Sequence, residues 1–195
     1  MYRMKIQNII GPAAIALMLI ACQSNSQKPE TPVQPSQIQA AESHTSIPDF
    51  KMNDTDGNEI SALKEAAKHK ITVIDFWASW CGPCLREMPA LVSTYDKYKD
   101  KGLGIIGVSL DKDSTSWKEA VKRLDMKWVQ VSDLQGWDNA AAKMFGVQSI
   151  PFTVIIDSEG KLIDAGLRGG ELEMRIAGLL KENVEEIPKI GTGHR

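Results

Sequence analysis

The sequence is short of cysteine, of net charge and of long apolar runs. Its 195 residues hold three cysteines, too few for a disulfide scaffold or a four-thiolate zinc site. The 23 Lys and Arg stand against 25 Asp and Glu, a formal net charge of −2. That balance offers no basic face for a phosphate backbone, so nucleic acid is not an expected partner. The apolar run at Ile9–Ala21 is 13 residues long, short of the ~20 that a helix needs to cross ~30 Å of hydrocarbon. A multi-span membrane protein is thereby excluded, and no internal repeat is present. Apolar residues at 43% and charged residues at 25% match a folded globular chain and exclude a wholly disordered one. The length fits one domain with extra sequence, or two very small ones.

What is present begins with an address. Arg3 and Lys5 precede the short apolar run, the order of a secretory signal peptide. Its exit, Leu19-Ile20-Ala21-Cys22, resembles the lipobox of bacterial lipoproteins. That resemblance implies cleavage after residue 21 and lipidation of Cys22; an ordinary secretory signal with a free Cys22 thiol is the alternative. Leu19 is a poor −3 residue for an ordinary cut at Cys22. Losing residues 1–21 leaves 21 cations against 25 anions and, with Cys22 lipidated, two thiols. Residues 22–46 are rich in Gln, Ser and Pro without apolar period, a tether whose 24 residues after Cys22 reach about 25–30 Å. His44 falls there as a solvated linker residue. A folded domain is expected over 47–188, with 189–195, including His194, as a tail.

Within the domain, Asn53–Asn58 is a turn cluster fit for a hairpin. Ser61 is placed to cap a short helix running to Lys68. Ile71–Trp77 and Leu103–Leu110 read as buried strands. Leu85, Met88, Leu91, Val92, Tyr95 and Tyr98 recur at helical spacing, with Pro89 expected to kink that helix. Ser116–Glu119 fits a capping box, Trp128–Val131 a short strand, and Asn139–Phe145 a helix ending at Gly146. Thr153–Ile156 and Leu162–Ala165 flank a hairpin signal, and Glu171–Lys181 closes as an amphipathic helix. The alternation predicts an α/β domain, a mixed central sheet with helices on both faces. Trp117, Trp128 and Trp137 are expected in or near the core.

The chemistry sits at Trp80-Cys81-Gly82-Pro83-Cys84, after a strand and at the start of a helix. Unpaired N–H groups and the positive end of the helix dipole favour a thiolate at Cys81. Pro83 loses an N–H that had no partner there. Residues three apart on a helix are neighbours, so Cys84 reaches Cys81. A structural bridge and half of a zinc site are the alternatives. Zinc would need two more ligands, and His44, His69 and His194 show no paired spacing. No metal or cofactor is expected.

Val73–Cys84 resembles the active-site segment of thioredoxin, and Leu85-Arg86-Glu87-Met88-Pro89 resembles the TlpA/ResA-like thiol–disulfide oxidoreductases of the AhpC/TSA–redoxin superfamily. The likeness covers most of 47–182, with Asp56-Gly57, Gly107–Asp111 and Ile150-Pro151. It implies a thioredoxin-like fold with an N-terminal β extension and a helix–strand insert before a cis-proline loop. It implies that Cys81 attacks a substrate disulfide and Cys84 resolves the mixed disulfide. Asp75 matches a buried acid that deprotonates Cys84, where many members of the anchored branch carry Asn. Glu87 matches an acidic residue of the ResA-like site and shares a helical stripe with both cysteines. Gly107 stands where thioredoxins carry the lysine partner of that acid. Ile150-Pro151 matches the cis-proline loop, whose backbone pairs with substrate. Trp80, Gly82 and Pro83 are expected to touch substrate.

The expected function is a tethered reductase of exported protein or apocytochrome disulfides in the bacterial envelope, facing the periplasm, fed by a membrane thiol transporter and monomeric. Gly-Pro between the cysteines resembles reducing thioredoxins. An oxidase or isomerase on the same scaffold is one alternative. A thiol peroxidase is another, although Ala78-Ser79-Trp80 precedes Cys81 where that family shows a Thr-x-x-Cys with a preceding Pro. A non-catalytic binding module would have no need for Cys81, Cys84, Asp75 and Pro151 together.

Overall fold

A computed structural model of the chain describes residues 46–181. The signal peptide at 1–21, the Cys22 lipidation site, His44 and the tether up to 45, the domain end at 182–188 and the tail at 189–195 lie outside the described residues. Ser46, expected in the tether, is already part of the domain. It forms a β-bridge with Lys161, and its hydroxyl donates to the Glu159 carbonyl at 3.0 Å. Ile47 N–H follows with a bond to the Gly160 carbonyl.

The first hairpin joins β1 (Lys51–Asp54) to β2 (Glu59–Ser61). The Asp54 carboxylate closes the turn by accepting the N–H of Asp56 and of Asn58, each at 2.8 Å. Ser61 caps α1 (Ala62–Ala66) as expected, accepting from the Lys64 N–H at 3.2 Å. Then β3 (Ile71–Trp77) enters the middle of the molecule with all seven residues buried. Apolar and β-branched side chains on both faces leave it no solvent side, which is the pattern of a central strand.

After β3 come α2 (Gly82–Tyr98), β4 (Leu103–Ser109), α3 (Ser114–Arg123) and β5 (Val129–Ser132). The helix α2 continues through Pro89 as one element. The two connections make β3, β4 and β5 parallel neighbours. The N-cap of α3 is Asp113, whose carboxylate accepts the Ser116 N–H at 2.7 Å, and not Ser116 itself. Aspartate caps as well as serine, and the helix starts where the earlier good cap stands. α4 (Ala140–Met144) is capped by Asn139. β6 (Phe152–Asp157), β7 (Leu162–Ala165) and α5 (Gly169–Leu180) complete the chain.

The seven strands form one mixed sheet in the order β2-β1-β5-β4-β3-β6-β7. Successive residues of β3 point to opposite faces. Phe76 meets Phe145, at the end of α4, and Phe152 on one face. Asp75 shares the other face with Cys84, Leu91 and Leu172 of α2 and α5. Helices therefore cover both sides, the thioredoxin-like arrangement expected. Trp117 and Trp128 are buried as expected. Trp137 is not: it is 48% exposed. The turn that carries it, Gly136–Asp138, lies on the surface between β5 and α4, where no apolar period governs which way a side chain faces.

Gly107 lies opposite Asp75 in the register of β3 and β4. Any side chain on it would collide with the Gln130 amide, which fills that space. The Gln130 carbonyl oxygen accepts the buried Trp77 indole N–H at 3.0 Å. Gly107→Ala should therefore push Gln130 off Trp77 and leave a buried donor unpaired, costing about 1–3 kcal/mol. Urea unfolding of the variant should show a lower midpoint at unchanged slope; an unchanged midpoint would mean that Gln130 moves freely.

Candidate active site

Both ends of the reactive loop are fixed by the backbone that carries it. Strand β3 ends at Trp77, and Ser79 lies two residues on. The buried Asp111 carboxylate accepts the Ser79 N–H at 2.9 Å and the Ser79 hydroxyl at 2.5 Å. It also accepts the Ser109 hydroxyl at 2.7 Å. The loop after β3 is thus tied to the end of β4. Cys81 is the N-cap of α2, with extended backbone, and its sulfur accepts the Cys84 N–H at 3.2 Å. Cys81 and Cys84 are joined as a disulfide. Both cysteines are buried in this oxidised state, Cys84 at 1% exposed and Cys81 at 4%.

Inward of Cys84 is a chamber of about 30 Å³, lined by Asp75, Cys84, Glu87, Met88, Pro151 and Arg168, among others. That is room for one or two water molecules. The sequence-predicted acids meet here. Asp75, on the buried strand, is 3% exposed. Burial first, and the nearby negative charge of Glu87 second, raise its carboxyl from 3.8 to about 7. Glu87 sits one helical turn beyond Cys84. Arg168, in the loop before α5, donates to both its oxygens, at 2.5 and 3.3 Å. Near neutrality Asp75 is divided between its two protonation states, as a group must be to pass a proton in either direction.

The Ile150–Pro151 peptide bond is cis, as the loop resemblance implied, and Pro151 lines the chamber beside Cys84. Trp80 is 55% exposed on the outer side, Gly82 and Ile150 are half-buried, and Pro83 is exposed. The structure thus gathers Cys81, Cys84, Asp75, Glu87 and Pro151 at one end of the sheet, with Trp80 outside.

Three contributors escaped the sequence reading. Arg168 lies 81 residues from its partner Glu87, with no motif around it. Gln130, rather than a lysine, occupies the space beside Asp75, and only the pairing of β4 with β5 reveals it. Asp111 belongs to a family-like stretch, but its three donors come from residues that no spacing links.

Unfolded, the Asp75 carboxyl ionises near 3.8; folded, near 7. Between those values the folded chain keeps a proton that the unfolded chain has lost, so stability falls as pH rises from about 4 to about 7. At about 1.4 kcal/mol per pH unit the ceiling is on the order of 4 kcal/mol. Asp75→Asn should abolish this decline and leave the oxidised protein more stable than the wild type at pH 8. Urea titrations at pH 5 and pH 8 check it; equal declines in both proteins would refute the assignment. Glu87→Gln should move the Asp75 midpoint down while leaving it above 3.8, read from the same pH series.

Comparison with known proteins agrees with this geometry. The Redoxin family matches residues 42–176. The thiol-disulfide oxidoreductase ResA of Bacillus thuringiensis subsp. konkukian is 34% identical over 135 residues, covering 69% of this chain and 75% of that one. ResA of Bacillus subtilis is 28% identical over 116 residues, covering 60% of this chain and 62% of that one. Among solved structures, a thiol-disulfide oxidoreductase from Bacteroides fragilis superposes with a TM-score of 0.65 at 28% identity, covering 69% of this chain and 99% of that one. A thiol:disulfide interchange protein from a Bacteroides species gives 0.64 at 30% identity, covering 73% and 92%. With the cysteine pair, the fold and these relatives in agreement, the chain belongs to the Redoxin family and is a thiol–disulfide oxidoreductase similar to ResA.

Proposed function

We propose that this oxidoreductase runs in the reducing direction on disulfides of exported proteins or apocytochromes, with Cys81 as nucleophile and Cys84 as resolving thiol. The observation that carries the dithiol exchange is the buried Asp75 carboxyl in one chamber with Cys84, and its direction rests on the Gly82-Pro83 pair between the cysteines. In the reduced enzyme the Cys81 thiolate, favoured at the N-terminus of α2, attacks one sulfur of the substrate disulfide. The substrate S–S bond breaks, a Cys81–substrate mixed disulfide forms, and one substrate thiolate leaves. Asp75 then takes the Cys84 proton. The Cys84 thiolate attacks the Cys81 sulfur, the enzyme disulfide closes, and the second substrate thiolate leaves. The substrate gains two electrons and the enzyme loses two.

Glu87, held by Arg168, keeps a negative charge near Asp75 and so favours its protonated form. The cis-proline loop at Ile150-Pro151 offers backbone to an extended substrate, and Trp80, Gly82 and Pro83 border the attacked sulfur. A dithiol donor must restore Cys81 and Cys84, and a membrane thiol transporter fits that need. The lipobox-like Leu19–Cys22 supports a lipid anchor at Cys22 and a site facing the periplasm. Gly82-Pro83 between the cysteines supports the reducing direction over the oxidising one.

The full chain, equilibrated against dithiol buffers, should show a Cys81–Cys84 potential near or below roughly −250 mV. A value near about −120 mV would make it an oxidant and overturn the direction. Cys84→Ser should accumulate a mixed disulfide with substrate, and Cys81→Ser should form none and lose turnover, both read by non-reducing electrophoresis and mass spectrometry.

A further inference from the structure

We propose that Trp80 and Trp137 form a two-ring platform that receives an apolar or aromatic side chain next to the substrate's disulfide-bonded cysteine. The inference rests on Cys81 being the attacking thiol. It assigns the enzyme a preference for extended polypeptide segments with a large apolar residue beside the cysteine.

Among the described residues five large hydrophobic side chains are exposed: Trp80, Trp137, Met144, Leu162 and Met174. Two of them are indoles in contact with each other, with ring centres 6.3 Å apart and planes inclined at 55°. They come from separate segments, one before Cys81 and one between β5 and α4. Water-exposed indole surface is unfavourable, and two such rings set together beside a reactive sulfur mark a surface that works when covered.

Both rings are presented by fixed backbone. Trp80 follows Ser79, which Asp111 grips twice. Gly136, just before Trp137, has φ +62, and a Cβ there would meet the Lys112 side chain at 2.6 Å. Downstream, Asp133 accepts the Asn139 side-chain N–H at 2.8 Å and the Ala140 N–H at 2.9 Å. Buried Asn139 in turn accepts the Ala142 N–H at 2.9 Å. These bonds fix the backbone from which the Trp137 ring projects. A platform held in this way loses little conformational freedom on binding.

Beside the two rings runs a groove of about 430 Å³, lined by Trp80 and Trp137 together with Ser79, Leu110, Lys112 and Ser116. The groove is open to solvent and has room to take in a whole aromatic side chain. Asp111, Lys112 and Asp113 border it, and both carboxylates are already committed, Asp111 to Ser79 and Ser109 and Asp113 to the Ser116 N–H, so the charges here are not arranged to select a small charged thiol. The occupant follows from the chemistry of the neighbouring sulfur. A polypeptide disulfide attacked by Cys81 must set its cysteine against that residue. The residue next to that cysteine then falls on Trp80, with Trp137 beyond. The cis-proline loop engages the same chain by its backbone and is indifferent to side chains, so discrimination is left to the rings.

The test uses two peptides with one internal disulfide each, identical except for Phe or Ser beside the cysteine. The full-length enzyme is kept turning over by dithiothreitol. Wild type should favour the Phe peptide by about tenfold in kcat/KM, carried by KM rather than kcat. Trp137→Ala should collapse that ratio to near one, and Trp137→Phe should keep most of it. A folding defect lowers both rates together and leaves the ratio standing, so the ratio reads the platform alone. A wild type indifferent to the two peptides, or a Trp137→Ala enzyme with the wild-type ratio, overturns the proposal. Failure to reduce either peptide overturns the reductive chemistry beneath it instead.

Discussion

The carboxylate of Asp111 does what no apolar contact can do at this site. It is 1% exposed and spends its charge on three donors, two of them from Ser79. Parallel strands β3 and β4 end side by side, and the chain leaving β3 must turn outward before α2 begins. Ala78 is buried in the core, and from Ser79 onward buried charge-assisted bonds hold the loop as it turns. Because Ser79 is fixed, Trp80 and Cys81 start from a defined position, and α2 begins with the sulfur already seated as its N-cap. The helix dipole, the disulfide and the exposed ring each depend on that one anchoring point.

The second constraint is electrostatic. Asp75 has been placed where its charged form is costly, and Glu87 makes that cost larger. Arg168 grips both Glu87 oxygens and holds that carboxylate in place, while Asp75 remains protonatable within the chamber. Thioredoxin's lysine is absent from this arrangement. Gln130 supplies a neutral amide in its place, committed to Trp77 and to Met126. The acid is therefore tuned from the α2 and α5 side of the sheet and not from β4.

How much was legible depends on range. The Trp-Cys-Gly-Pro-Cys segment, the buried run Ile71–Trp77 and the Ile150-Pro151 pair each carry their signal within a dozen residues. They were read correctly in position and, for the proline, in its cis form. The α3 cap was misread because two good capping residues stand three apart, and only the backbone shows which one the helix uses. Trp137 was misread because a tryptophan is ordinarily a core residue, and a 3-10 turn has no period to say otherwise. Arg168 and Gln130 act across 81 and 53 residues of chain, a separation over which pairing of strands and packing of helices decide proximity. Function was more legible than tuning, since the chemistry is local and the tuning is assembled from afar.

The bridge between Ser46 and Lys161 sets a polarity on the whole domain. β6 runs antiparallel to β3, so the β6–β7 turn lies at the end of the sheet where β3 begins. Cys81 lies past the end where β3 finishes. Seven residues of strand, about 23 Å, separate the two poles. The polypeptide thus enters the domain at the pole opposite its reactive sulfur.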